Sequence, residues 1–452
     1  MRYTRREFCA LAGTALLGPG GSQSAGGWRA GAASVDITPT GSLWMAGFAA
    51  RTRPAQGTAL PLRARALAIQ AGEGPPAILV TADLLGVTAR LSEAVYAGIA
   101  RRHHIPRSAL LVNASHTHCG PIVDEQLAVA YELTAAQWQA VRDYTASLEH
   151  SLLELVDRAL AGIRPATLAF SIGTARFARN RRVQFSPDGP VDHAVPVLRV
   201  SDADGSPIAI VFGYACHNTT LRHDFVQYHG DYAGVAQAAL ERRHRGVVAL
   251  FVTGCGADVN PDPRGTLALV EAHGTALADA VDRALPAAAR IPPGLHSAYA
   301  TVELPYAAGE PRQRWMAALP ATIEEVYLRR HATLMEQIAA RQGGLPVSQT
   351  APVQVWRLGP HGSATDGSVT LVALGGEVVV DYALRLAREF PDRRIWAAGY
   401  SNDVFGYVPS RRVLREGGYE GADAMVYYGR PGPFTDDVEE LLVSQVRRLA
   451  GT

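Results

Sequence analysis

The 452-residue chain contains no lysine: all 43 of its basic residues are arginine. That excludes a lysine nucleophile, a Schiff base and the phosphate-cradling lysine of a P-loop. Cysteine is scarce, at four. Cys9 lies near the N-terminus, and Cys119, Cys216 and Cys255 form an odd set, so an oxidising compartment would leave at least one without an intrachain partner. No Gly-x-Ser-x-Gly occurs, which argues against the nucleophile elbow of serine hydrolases. Two glycine-rich turns are present, but neither completes a dinucleotide fingerprint. The formal net charge is only +1, with no basic tract interleaved with aromatics and no zinc-finger spacing, so nothing points to nucleic acid.

What is there begins with the leader MRYTRREFCALAGTALLGPGG: two adjacent arginines, Phe8, then a short apolar run ending in Gly and Pro. It resembles a twin-arginine export signal, and the run is too short for a permanent membrane span. Residues 1–27 read as signal and linker, residues 28–452 as the folded domain, and the expected location is periplasmic or secreted. The chain is 48% apolar, ample for a sizeable core.

Along that domain short apolar runs alternate with helical stretches. PPAILVTADLLG, SALLVNASH, PIAIVFGYACH, GVVALFVTGCG, VTLVALGG and RRIWAAGYS read as strands; LSEAVYAGIARRH, residues 135–160, YAGVAQAALERRH and GTLALVEAHGTALADAVDRAL read as helices, as does the region 313–341. The expected fold is α/β: a mixed or mainly parallel sheet covered by helices. IPPGL (291–295) is a candidate seam, with the strands beyond it expected in the same sheet.

Five strand ends carry reactive side chains: His116 and His118, then His217, then Asp258 and Asn260, then Glu377, then Asp403 and Tyr407. Ligand sites of open α/β sheets gather at strand carboxyl ends. If the strand from Ala109 runs through Ser115, His116 and His118 project to one side, since residues two apart share a face. A His, His, Glu set with an open position is the usual composition of a hydrolytic zinc site. The three cysteines beyond the leader fall in three of the same turns; a disulfide between two of them and an approach to the metal both remain open. His223 and His229 border the same region, whereas His103, His104, His150, His244, His273, His296, His331 and His361 lie in unremarkable helical or loop contexts.

In order along residues 35–421 stand VDITPTGSLWMAGFAAR, LRARALAI, NASHTHCGP, GYACHNTT, GDYAG, GCGADVNPD, LGGEVVV and GYSNDVFGYVPSRRVLREGGYEG. Each short stretch matches weakly; all eight in sequence resemble the neutral/alkaline, non-lysosomal ceramidase family, zinc-dependent amidases that cleave the N-acyl bond of ceramide. NASHTHCGP stands for the family's T-H-T-H-S-G-P, and GCGADVNPD for G-D-V-S-P-N. The resemblance implies one Zn2+ held by His116, His217, Glu377 and Tyr407. It implies that His118 transfers protons, with Arg181 and Tyr419 beside the reacting group. Asn260 replaces the family serine, so a mechanism through that serine is excluded and one through activated water is not. The larger members' immunoglobulin-like C-terminal domain is not expected here. The implied partner is a small-molecule or lipid substrate, with peripheral membrane contact through such a lipid and no protein partner. An ester, a lactone or a sugar derivative is compatible with the same site, as is a binding protein that has lost catalysis.

Overall fold

The computed structural model describes residues 26–360 and 367–451. The export-signal reading falls on residues that lie outside these, apart from Gly26 and Gly27. No described helix is long and apolar enough to cross a membrane.

Strands β1 (Trp28–Asp36), β2 (Arg63–Ala71) and β3 (Ala77–Ala82) pair antiparallel in succession. Helix α1 (Ala89–His103) then crosses over, so that β4 (Leu110–Ala114) lies parallel to β3. Helix α2 (Ala135–Ala161) starts at a capping box, in which the Thr134 and Gln137 side chains each bond the other's backbone N–H. It returns the chain to β5 (Arg164–Thr174), antiparallel to the other edge of β1. After β6 (Ala178–Asn180), β7 (Ala194–Asp202) and β8 (Pro207–Tyr214) continue antiparallel, and α3 (Asp231–Arg243) crosses to β9 (Val248–Thr253), parallel to β8. β10 (Val259–Pro261) pairs with β6, α4 (Leu267–Ala284) follows, and β11 (Ala289–Ile291) pairs with β5. The order of the large sheet is β4-β3-β2-β1-β5-β7-β8-β9, with β11 off the path.

Beyond IPPGL the strands leave this sheet. β12 (Leu295–Pro305) is followed by α5 (Gly309–Ala318) and α6 (Glu325–Gln342), then by β13 (Ser348–Leu358) and β14 (Val369–Leu374). After β15 (Glu377–Val378) and α7 (Asp381–Glu389) comes β16 (Arg394–Ala398), and the order β12-β13-β14-β16 makes a second, four-stranded sheet. β17 (Tyr407–Val408) lies parallel to β15, and α8 (Arg411–Glu416), α9 (Ala424–Tyr427) and α10 (Val438–Ala450) close the chain. The expectation of one continuous sheet is therefore corrected. Burial on both faces makes each strand read as a plain apolar run, and such a run does not record which sheet it joins.

The large sheet is mixed. Its parallel pairs, β3–β4 and β8–β9, are those whose connection contains a helix, because a parallel partner needs a crossover and a short hairpin does not provide one. Helices α2, α3 and α4 pack on the large sheet, with α1 against α2, and α7 and α10 pack on the small sheet. The two sheets meet face to face, with Leu67, Leu79, Phe170 and Leu198 against Trp356, Leu371 and Trp396 in one continuous core. The large sheet curls until its edge strands touch at their carboxyl ends: the Thr253 amide donates to the Asn113 side chain at 2.9 Å and its hydroxyl to the Ala114 carbonyl at 2.7 Å. Residues after β4, β8, β9, β14 and β16 are thus gathered at one end of the molecule.

Candidate active site

β4 ends at Ala114, and the histidines lie past it. His116 has φ +60°, left-handed backbone that a non-glycine residue adopts only when its surroundings impose it. The two imidazoles therefore converge through a turn, not through strand alternation: the shared-face expectation reached the right pair by the wrong geometry. The His116 Nδ1 hydrogen donates to the Leu85 carbonyl at 2.6 Å. Three residues past β8, the His217 amide bonds the Val259 carbonyl at 2.9 Å, and its Nδ1 donates to the Gly256 carbonyl at 2.9 Å. Glu377 opens β15 directly opposite Tyr407 of β17, its amide bonded to the Gly406 carbonyl at 2.7 Å.

The seven residues that the resemblance assigns to the site come together. The Nε2 atoms of His116 and His217 each lie 3.2 Å from Glu377 Oε2. His118 Nε2 is 3.2 Å from His116 Nε2, and the Tyr407 hydroxyl is 3.2 Å from His217 Nε2. Arg181 donates from Nη2 to the Tyr407 hydroxyl at 2.9 Å and from Nε to Glu420 at 2.6 Å. Tyr419 packs edge-on to Tyr407 with ring centroids 5.2 Å apart.

These groups fit a cation and fit poorly without one. A carbonyl only accepts, so His116 and His217 carry their hydrogens on Nδ1 and turn Nε2 lone pairs inward. Burial, with Arg181 and His116 adding to it, brings His217 down to about 4; burial and the neighbouring imidazoles lower His118 well below its ordinary range. Burial raises the Glu377 carboxyl, and only positive charge beside it, such as protonated His116 and His217 would carry, holds it well below the ordinary carboxylate range. Its Oε2 is buried and has no hydrogen-bond donor. Inward lone pairs around an anionic oxygen call for a positive charge between them. His116, His118 and His217 present nitrogens all within 4.8 Å of one another, the spacing of metal ligands.

The surroundings divide those three rings. Metal-binding histidines characteristically donate the second ring N–H to a carbonyl or carboxylate, as His116 and His217 do. His118 Nδ1 is buried and has no partner, and its ring rests against Phe48, centroids 4.6 Å apart. It also lines a cavity of about 290 Å³ together with Glu377, Tyr407 and Tyr419. His118 is thus free to exchange a proton with what enters.

Several contributors went unread in the sequence. Tyr428 donates to Glu377 Oε1. Tyr400 packs on His116, centroids 4.4 Å apart. Glu420 bridges Arg181 and Arg182. Tyr400 and Glu420 lie within the stretch GYSNDVFGYVPSRRVLREGGYEG and Tyr428 beyond it, but nothing local marks any of them, because each acts on a residue distant in sequence. Gly47, in WMAGF, has a role the sequence hides: at φ +103° an added Cβ would stand 2.3 Å from His118 Nδ1. Gly47→Ala is expected to displace His118 and lower kcat by about 10²-fold, the cost of misplacing a reacting group by an ångström, with metal content unchanged; kinetics beside elemental analysis would check both halves.

Two other strand-end carboxylates serve the backbone instead. Asp258 accepts from the Val380 amide at 2.8 Å and from Asn180 at 2.9 Å, and Asp403 accepts from the first amide of α1 at 3.0 Å. Asn260 flanks the site, its side-chain oxygen 3.4 Å from Arg181 Nη1 and from the Thr219 hydroxyl. Cys119, Cys216 and Cys255 are buried and free, so no disulfide joins them; burial pushes the Cys119 thiol up to about 12. Of the outlying histidines, His103 and His244 pair with aspartates and His273 and His331 bond carbonyls, whereas His361 lies outside the described residues.

The model of the family described as neutral/alkaline non-lysosomal ceramidase, N-terminal, matches residues 28–269. Neutral ceramidase B of Dictyostelium discoideum is 24% identical over an alignment 261 residues long that covers 53% of this chain and 36% of that protein. The chain thus spans little more than a third of that relative's length. The crystal structure of neutral ceramidase from Pseudomonas aeruginosa superposes with a TM-score of 0.70 and 18% identity, covering 94% of this chain and 75% of that one. A structure of ceramidase complexed with C2 gives the same TM-score of 0.70 at 17% identity, covering 94% and 76%. At these identities the structures speak for the fold.

Proposed function

Since the chain belongs to the neutral/alkaline non-lysosomal ceramidase family, we propose that it is an exported, zinc-dependent hydrolase that cleaves the N-acyl amide bond of ceramide or a ceramide-like lipid. The observation that carries this reading is the convergence of His116 Nε2 and His217 Nε2 on the undonated Glu377 Oε2. His116, His217, Glu377 and Tyr407 would hold the cation, and burial keeps the Tyr407 hydroxyl protonated until one arrives. Once bound, zinc supplies Lewis acidity that polarises the scissile carbonyl and acidifies water.

The chain's own residues supply the rest. His118 accepts the proton that the attacking water gives up as its oxygen bonds the acyl carbon. It returns that proton to the nitrogen as the C–N bond breaks, so a carboxylic acid and a free amine leave. Arg181, fixed by Glu420 and Tyr407, brings a permanent positive charge to the side where negative charge develops on the carbonyl oxygen. Tyr419, 40% exposed at the cavity, is placed to share that role. A lipid substrate implies peripheral contact with the membrane that holds it.

Incubation with matched amides and esters of one acyl chain, followed by mass-spectrometric product analysis, tests the bond. Free amine from the N-acyl amide is the expected product. Turnover of the ester alone would overturn the amidase reading while keeping the metal, and no turnover of either would favour a binding protein.

A further inference from the structure

The two oxygens of Glu377 are not equivalent. Oε2 is buried without a donor and faces the two imidazole nitrogens at 3.2 Å each. Oε1 accepts the hydroxyl of Tyr428. A carboxylate is two-fold about its terminal bond, and that torsion is soft. Left alone, Glu377 could rotate between presenting one oxygen and presenting both.

We propose that Tyr428 is a positioning residue that locks Glu377 as a one-oxygen ligand, holding Oε1 out of the metal's reach and aiming Oε2 into it. This deepens the metal-hydrolase reading and rests on it. Tyr428 is itself well anchored. It follows α9 directly and its amide bonds the Ala424 carbonyl at 3.2 Å. Gly429 turns the chain at φ +62°, and the Arg430 amide bonds the Met425 carbonyl at 2.9 Å. The ring stands edge-on to Tyr407, centroids 6.2 Å apart, so one aromatic pair braces two of the four ligands. One carboxylate oxygen in place of two leaves room at the cation for water and substrate, which a hydrolytic site needs and a closed structural site does not.

Tyr428 also stands, with Leu127, between the catalytic cavity and a second one of about 750 Å³ that reaches Gln126, Asp403 and Arg430. Tyr428→Phe is therefore the informative substitution: it removes one oxygen and keeps the ring. Zinc affinity would be read by chelator competition, and the coordination of the zinc-loaded protein by X-ray absorption. The expected result is zinc binding weakened by about 10–100-fold, the usual effect of removing a hydrogen bond to a ligand, with a second carboxylate oxygen joining the zinc shell. Tyr427→Phe, one residue away in the same cavity, should change neither. Unaltered affinity and spectrum in Tyr428→Phe would overturn the inference and leave the metal reading standing, and so would an equal change in Tyr427→Phe. A folded wild type that takes up no zinc would overturn both.

Discussion

Glu377→Gln is expected to abolish zinc uptake and to reduce amide turnover by about 10³-fold or more, since metal Lewis acidity contributes several kcal/mol at a polarised carbonyl and each 1.4 kcal/mol is tenfold. The fold should survive. The carboxamide is isosteric, can still accept from Tyr428 and adds an N–H₂ donor facing the Nε2 atoms of His116 and His217. In the metal-free protein Gln satisfies the pocket better than an ionised carboxylate with an undonated oxygen, and relief of that buried charge should stabilise by about 1–3 kcal/mol. Thermal melts with and without zinc separate these effects. The wild type should melt lower without metal and rise on adding it; the variant should start higher and not respond. Zinc retained in Glu377→Gln would contradict the assignment of Glu377 as a ligand.

His118→Ala should do the opposite on one axis and the same on the other. Metal content should stay at the wild-type level while kcat falls by about 10²–10⁴-fold, the usual contribution of a positioned acid–base group. The reason lies in the hydrogen bonds: carbonyls orient His116 and His217 from behind, and no hydrogen bond holds His118 Nδ1. Distances alone would admit it as a third nitrogen ligand. Loss of metal in His118→Ala to the extent seen in His116→Ala would make it one, and proton transfer would have to be assigned elsewhere.

Much of this site could be read from the sequence because its residues follow strands, and strands are marked by apolar runs that end abruptly. His116, His118, His217, Glu377 and Tyr407 stand at such strand ends, and the family resemblance extends the set to Arg181 and Tyr419. The same rule also selected Asp258 and Asp403, which bond backbone amides. A carboxylate just past a strand has one local pattern whether it meets an amide or a cation. What separates the cases is a partner far along the chain, such as Val380 for Asp258. Tyr428 escaped notice for the same reason: its partner is Glu377, and neither neighbourhood names the other. The second sheet was missed because pairing between sheet edges is long-range, whereas helices such as α2 announce their ends through caps a few residues away. The left-handed turn at His116 carries no glycine to betray it; it is imposed by what surrounds it.

The central claim is that these side chains exist to hold a metal. Elemental analysis of the protein purified without added metal, on the wild type beside His116→Ala, addresses it most directly. About one zinc per chain in the wild type, and close to none in the folded variant, is the expected result for a single site. A folded wild type that carries no zinc, and takes none up when it is offered, would contradict it.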